Sequence, residues 1–329
     1  MTAEDDPRRG RHAEWPTHIG WPGWKDILWR TWTESWEDNV GLIAAGVAFY
    51  GFLAIVPTLA MFILGYGLFA DPETVSEHLR LIFALLPHDA ATLIGDQLVS
   101  VTSAAAKKTG IGVITAALLS LYGVMSGAGA IIKALNIAYD EEETRGTIKV
   151  TGLAMMVSIA MIFVAIFSAL AIAALAWAEA LIPSAPDIVI TLIRIAFWCF
   201  AALVTVVVVS AVYRYAPDRH AARWRWLTAG SVFATLGWLA VSLGFGFYAA
   251  NFANYNATYG ALSAVVVTLM WLYLSAYILL LGAELNAEIE HQTAVDTTIG
   301  HPKPMGARRA YVADTLGRAV GVTSSSSAP

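Results

Sequence analysis

The stretch Trp226 to Ala283, WLTAGSVFATLGWLAVSLGFGFYAANFANYNATYGALSAVVVTLMWLYLSAYILLLGA, runs for 58 residues without a single Asp, Glu, Lys or Arg. A helix rises 1.5 Å per residue, so about twenty apolar residues cross the hydrocarbon of a bilayer, and this run is far longer than one crossing. Its middle holds Asn251, Asn254, Asn256 and Thr258. Amides left unpaired in hydrocarbon are costly, so a loop belongs there and the stretch reads as two membrane helices, 227–250 and 260–283.

Four further apolar runs lie upstream, at 40–70, 111–134, 150–178 and 188–213, of which the second holds Lys133 and the fourth Arg194 as their only charges. With 57% apolar and 14% charged residues and a mean hydropathy of +0.61, the chain lies outside the range of soluble domains, in which about a quarter of residues are charged. The expected fold is all-α, an integral membrane helical bundle of about six spans. The single cysteine, Cys199, excludes an intrachain disulfide and a cysteine-based metal site, and is expected to pack. The net charge of −5 gives no sign of a nucleic-acid partner.

Arg and Lys set the orientation, because cytoplasmic loops retain them. Fifteen fall on one side: Arg8, Arg9, Arg11, Lys25 and Arg30, then Arg145 and Lys149, then Arg214, Arg219, Arg223 and Arg225, and finally Lys303, Arg308, Arg309 and Arg318. The other side has Arg80, Lys107 and Lys108, while Lys133 and Arg194 fall within spans. Both termini are therefore expected in the cytoplasm. The first apolar run starts too late and runs too long for a cleaved signal sequence. No internal repeat is evident, so the inverted-repeat architecture of many carriers finds no support.

Three segments flank the spans. In residues 1–39, Trp24, Leu28, Trp32 and Trp36 recur every four residues, with Lys25, Asp26, Arg30, Glu34 and Glu37 off that stripe. This predicts an amphipathic helix along the cytoplasmic leaflet, or one packed on the protein's own cytosolic side. In 71–110, Val75, Leu79, Ile82, Phe83 and Leu86, then Pro87, then Ile94, Leu98, Val101 and Ala105 predict an external helical hairpin. Residues 292–329 turn polar and end in a serine-rich run, which reads as a flexible cytosolic tail.

Several runs resemble the YihY/BrkB family of bacterial inner-membrane proteins. They are Ala44-Ala45-Gly46-Val47-Ala48-Phe49-Tyr50 with Pro57 following, Ala134-Leu135-Asn136-Ile137-Ala138-Tyr139, Tyr213-Arg214-Tyr215-Ala216-Pro217-Asp218, the segment Asn251 to Gly260, Trp271-Leu272-Tyr273, and Gly282-Ala283-Glu284-Leu285-Asn286-Ala287. The resemblance extends from Trp24 to His291. It implies an all-helical multi-pass protein of the inner (plasma) membrane, linked in some members to virulence or serum resistance, in a family once labelled a ribonuclease. Many members have Arg where this chain has Ser126, which puts any role of that charge in doubt here.

The residues themselves give no enzyme. HExxH, CxxC and the phosphate loop GxxxxGK[ST] are all missing, and the seven histidines are scattered through tails and loops, so neither a metal, a cofactor nor a ribonuclease centre is expected. Charges within spans are the better clue, because each costs roughly 2.5–3.5 kcal/mol at a helix centre unless paired or hydrated. Lys133 either snorkels to the headgroups or meets Glu284. Arg194 lies about 9 Å below the external start of its span, where Glu179 is its natural partner. Asn136, Glu284 and Asn286 form either a helix-end network or an inner gate, and Asn251, Asn254, Asn256 and Tyr259 either an interhelical turn or a polar outer mouth. Pro57 predicts a kink, usable as a hinge, and Gly123 with Gly127 a close helix approach. The functional expectation is a transporter or flippase-like carrier of a solute or lipidic substrate of the cell envelope, with membrane lipids as its surroundings; the alternative is a non-transporting scaffold that organises envelope machinery.

Overall fold

The computed structural model of the chain describes residues 7–66, 111–181, 186–252 and 262–320. Among the described residues the architecture is all helical. The α-helices are α1 (Trp21–Glu37), α2 (Val40–Tyr66), α3 (Ile111–Ala138), α4 (Thr147–Leu181), α5 (Asp187–Tyr215), α6 (Trp224–Phe252), α7 (Leu262–Glu290) and the single turn α8 (Tyr311–Asp314). Helices α2 to α7 coincide with the six apolar runs. Judged on the described residues alone, Ile188–Tyr215, Trp224–Tyr248 and Val265–Glu290 are long and apolar enough to cross a membrane by length and composition. Pro57 lies inside α2, though its side chain, like the whole 71–110 segment, is outside the described residues.

The chain divides into two compact units. One comprises Leu42–Ile131 and Leu239–Tyr277, the other Met1–Gly41, Ile132–Trp238 and Ile278–Pro329. In the first unit α3 approaches α2 at Gly123, where an added Cβ would lie 3.0 Å from the Ala54 Cα; Gly127 faces Tyr50 and Gly51 at about 3.9 Å. The GxxxG spacing thus serves helix packing. In the second unit α6 crosses α7 at Gly230 and Gly282, where a Cβ on Gly230 would come within 2.1 Å of the Gly282 carbonyl oxygen. Here α4 also packs against α5. The outer surface of α5 is mostly apolar, with Ile188, Leu192, Ile195, Trp198, Leu203 and Val207 exposed, as lipid contact requires. Cys199 is exposed there too and does not pack as expected.

The second unit carries a polar module built from the terminal segments and the connections after α3 and α5. The Gln292 Nε2 donates to the Arg9 carbonyl at 2.9 Å, the Ala294 N–H to the Arg11 carbonyl at 2.8 Å, and the Arg11 guanidinium to the Gly317 carbonyl at 2.7 Å. Thr144 Oγ1 donates to Asp218 at 2.6 Å, and the His220 N–H reaches the Arg309 carbonyl. Arg308 is buried and donates to the carbonyls of Ala313, Ala294 and Lys303. Residues 292–320, expected as part of a flexible tail, are therefore packed. Their polarity is spent on internal hydrogen bonds, which a composition-based reading cannot distinguish from solvation. The four segments gathered in this unit are those that carry the fifteen basic residues.

Helix α1 opens with Pro22 in its first turn and stops at Asn39, which takes the left-handed conformation (φ 55°) that Asn tolerates better than most residues. Its buried positions include Asp26, Ile27, Arg30, Thr31 and Ser35, while Trp21, Leu28, Trp29, Trp32 and Trp36 are exposed. The polar side thus faces the protein and the tryptophan side faces outward. Trp24 is the exception: it packs on the core formed by Ala13, Ile19, Ile27, Trp226, Leu285 and Ile289. Residues four apart drift by about 40° around a helix, so Trp24 and Trp36 stand about 120° apart and do not share one face.

Candidate functional site

Helix α3 ends in a Schellman motif: Asp140 is left-handed (φ 53°), and the N–H of Glu141 bonds back to the Asn136 carbonyl at 2.8 Å. That stop fixes Asn136 where its side-chain amide donates to Glu143 Oε2 at 2.9 Å and its oxygen accepts the Asp218 N–H at 2.8 Å. Arg145 completes the knot, bonding both oxygens of Glu143 at 2.7 and 2.6 Å and the Ala216 carbonyl at 2.9 Å. Its guanidinium pulls the Glu143 carboxyl down to about 2. Asn286, with no exposed surface, accepts the Gly230 N–H at 2.7 Å and donates to the Leu227 carbonyl at 3.0 Å. Both asparagines bond neighbouring segments at helix ends to one another.

Two buried ion pairs anchor α7. Arg219 and Glu290 meet at 2.7 and 3.2 Å with side chains 2% and 0% exposed; Thr297 donates to Glu290 at 2.7 Å, and the guanidinium lies 4.8 Å from the Tyr139 ring centre. Arg30 pairs with Glu288 and also donates to Gln292 Oε1 at 2.8 Å and to the carbonyls of Glu288 and Arg318. Charges this deep persist only when their hydrogen bonds are filled, and here most of them are.

The same end of α7 faces a group of carboxyls. Glu284, one turn before Glu288, is 2% exposed, and its Oε1 has no hydrogen-bond partner. Asp38, in the break between α1 and α2, lies close enough to interact with it electrostatically. Glu34, Glu37 and Asp140 add negative charge around the pair. Burial, then the neighbouring Glu288, lifts Glu34 to about 7, and burial, then Asp140, lifts Asp38 to about 6. Lys133, offered by sequence as the partner of Glu284, is exposed on the opposite side of α3: Ile131, Ile132, Ala134, Leu135, Asn136 and Ala138 turn inward, while Lys133 and Ile137, four residues apart, turn out. The expected Lys133–Glu284 contact is not formed.

Arg194 is exposed on α5. The side chains of Glu179 and Asn251, and residues Asn254, Asn256 and Tyr259, lie outside the described residues, so the expected outer pair and outer mouth do too. Sequence reasoning missed Asp38, Glu34, Asp140 and the two ion pairs on α7. One signal was available: Glu284, Glu288 and His291 recur at helical spacing along one face.

Two pockets accompany these groups. A polar one of about 430 Å³ in the second unit is lined by Glu141, Glu142, Thr144, Asp218, Arg219, His220 and Arg309. An apolar one of about 560 Å³ in the first unit is lined by Ala45, Ala48, Phe245, Tyr248, Val266, Val267, Leu269, Met270, Tyr273 and Leu274. Among the described residues no group of three or more His, Cys, Asp or Glu is arranged to hold a metal ion.

Long apolar helices with a polar module at one end define a multi-pass α-helical membrane protein. The chain belongs to the Virulence factor BrkB family, whose profile matches residues 31–306. It is similar to "Putative ribonuclease-like protein YfkH" of Bacillus subtilis (strain 168), 32% identical over 249 residues, which are 74% of this chain and 88% of that protein. It is also 39% identical over 87 residues to "UPF0761 membrane protein Nmul_A0452" of Nitrosospira multiformis, covering 26% of this chain and 20% of that one. A "UPF0761 membrane protein" of Xanthomonas campestris pv. campestris (strain 8004) is 42% identical over 83 residues, 25% and 19% of the two chains. No solved structure matches the chain.

Proposed function

We propose that this protein is a carrier of an amphipathic, lipidic substrate in the bacterial inner membrane, with six spans and both termini in the cytosol. The observation that carries the reading is the apolar pocket. Its α7 lining, Val266 to Leu274, lies about 6–18 Å along the helix from Leu262, in the part of α7 that is long and apolar enough to cross a membrane. A scaffold needs no apolar groove there, whereas a carrier of acyl chains needs one with few polar groups, and here those are the phenols of Tyr248 and Tyr273. The cytosolic assignment of the termini is supported by the positive-inside rule acting on the four gathered basic segments.

Such a carrier needs no catalytic centre, cofactor or nucleic-acid partner, and the ribonuclease wording in the name of the Bacillus relative is not carried over to this chain. The scaffold reading draws on a different observation, the outward tryptophan face of α1 beside a packed cytosolic module, and gains if transport fails. The test is exchange of headgroup-labelled phospholipid between leaflets of proteoliposomes. Wild-type protein should accelerate it, Ala48→Trp should fill the pocket and abolish the acceleration, and Leu42→Trp, at an exposed position, should leave it intact. Wild-type protein that moves no labelled lipid, or an Ala48→Trp variant as active as wild type, refutes the reading.

A further inference from the structure

Arg214 is the penultimate residue of α5, at the end of a helix long and apolar enough to cross a membrane. Its guanidinium lies 4.8 Å from the Trp224 ring centre and 5.3 Å from that of Tyr215, and the two rings meet edge to face at 6.4 Å. Those rings are its partners. Nε and Nη1 are buried with no acceptor, and among the described residues no carboxylate pairs with the side chain. Its neighbours differ: Arg145 and Arg219 hold Glu143 and Glu290, while Arg223 and Arg308 donate to carbonyls. A basic side chain in a last helical turn can serve the terminal carbonyls, but Arg214 bonds none of them, and the Ala216 carbonyl at that end is taken by Arg145. Ring faces orient a guanidinium and attract its charge, yet they accept none of the hydrogen bonds that lie in its plane. A half-enclosed cation of this kind lacks an anion.

The surroundings of the guanidinium say where that anion comes from. Tyr215 and Trp224 are 54% and 45% exposed, amphipathic rings of the kind that settle at headgroup level. Leu203 and Val207 are exposed on the same helix and stand within about 40° of Arg214 around its axis, and Leu203 to Arg214 covers about 16 Å along it. That is close to half the thickness of a bilayer's hydrocarbon, the reach of one acyl chain. A free phosphate would use the cation but not the apolar track that leads to it. We propose that Arg214, with Tyr215 and Trp224, binds the phosphate of an anionic phospholipid in the leaflet on the side of the polar module, with one acyl chain along Val207 and Leu203. Nη2, the nitrogen that is not enclosed, donates to a phosphate oxygen, and the lipid supplies the counter-charge that the fold does not. The site does not depend on the carrier reading, because a lipid held here is fixed to the protein whether or not others are moved.

The test is native mass spectrometry of the full chain released from micelles doped with phosphatidylglycerol or with phosphatidylcholine of the same acyl chains, each titrated to an apparent Kd. Wild type should hold phosphatidylglycerol the more tightly. Arg214→Gln should weaken it about tenfold or more, the loss of one hydrogen bond to a charged group, and remove the preference. Arg214→Lys, which keeps the charge without the planar fork, should restore part of it. Lys133→Gln, which removes an equal charge from an exposed position on α3, should leave the preference intact. Should Arg214→Gln not fold, Trp224→Leu decides in its place, because without that exposed ring the guanidinium is no longer held at the end of the track, and the preference should fall. Millimolar inorganic phosphate should not displace the lipid. No preference in wild type, a preference that the deciding variant leaves unchanged, or one that Lys133→Gln reduces equally overturns the site, and displacement by inorganic phosphate overturns the lipid as its occupant.

Discussion

Replacing Glu290 by Gln should open the polar module locally, and the size of the effect follows from the surroundings of the pair. Arg219 donates twice to Glu290, at 2.7 and 3.2 Å, with both side chains essentially out of solvent. The variant keeps the shape and one acceptor but leaves a buried guanidinium without its counter-charge, for which about 3–5 kcal/mol is the usual cost. At about 1.4 kcal/mol per factor of ten, local opening becomes roughly a hundredfold to a few thousandfold more frequent. Amide hydrogen exchange read by mass spectrometry on the nanodisc-embedded protein should show this in peptides covering 216–223 and 290–299, where the Arg223 N–H bonds the Thr297 carbonyl and the Ile299 N–H the Ala221 carbonyl. The double variant Arg219→Met, Glu290→Leu should recover most of the protection, because a buried pair replaced by apolar groups of similar volume is often neutral or better. Wild-type exchange rates in Glu290→Gln, or a double variant as open as the single one, would refute the reasoning.

Reporter fusions at Asp218 should behave as cytoplasmic and at Asn254 as external; the opposite pattern would sink the orientation. Emission from Trp32, 57% exposed on the outward face of α1, should be quenched by shallow lipid-attached quenchers and little by deep ones, and indifference to both would remove α1 from the headgroup level. Gly230→Ala should destabilise the α6–α7 crossing strongly, since its Cβ would fall 2.1 Å from a backbone oxygen, whereas Gly152→Ala, with open space around it, should be tolerated; thermal stability in detergent compares them.

The positions of the long apolar helices were legible because hydrocarbon imposes one rule on every helix built to cross it, and apolar runs of the required length are hard to produce otherwise. Helix ends were less legible: the run expected at 150–178 is a helix from Thr147 to Leu181, since polar residues at the headgroups continue a helix without showing in an apolarity count. The site was read at the level of residues but not of pairs. Glu284 stood out as a charge at the end of a span, yet its partner was sought in Lys133, on the assumption that opposite charges at equal depth meet. Helical phase decides otherwise, turning Lys133 outward and Glu284 toward Asp38. Asp38 could not be foreseen from apolarity at all, because the two-residue break that carries it depends on Asn39 adopting a left-handed conformation. The packed segment 292–320 was missed for a related reason: Thr, Asp and Arg look alike in sequence whether they bond water or the chain itself.

The carboxyl group at the end of α7 makes a further claim about pH, and its sign is opposite to that of ordinary ion-paired acids. Glu34 has its carboxyl lifted from about 4.5 to about 7, first by burial and then by Glu288. The folded state therefore binds its proton more tightly than the unfolded chain does. The resulting stabilisation is complete below pH 4.5 and is lost as the pH rises through 7. Asp38, lifted to about 6, acts in the same sense. Glu143 acts in the other: held at about 2 by Arg145, it contributes stability above its unfolded value of about 4.5 that disappears only as the pH falls toward 2. Between pH 4.5 and 7 the raised acids dominate, so the thermal midpoint of the purified protein should decline across that window. Glu34→Gln, which keeps a hydrogen-bonding side chain but has no proton to lose, should flatten the decline, while Glu143→Gln should leave its slope unchanged and lower the midpoint throughout. A midpoint that rises with pH over the window, or a slope that Glu34→Gln does not alter, would show that these carboxyls are already ionised in the folded protein and that the α7 cluster stores no protons.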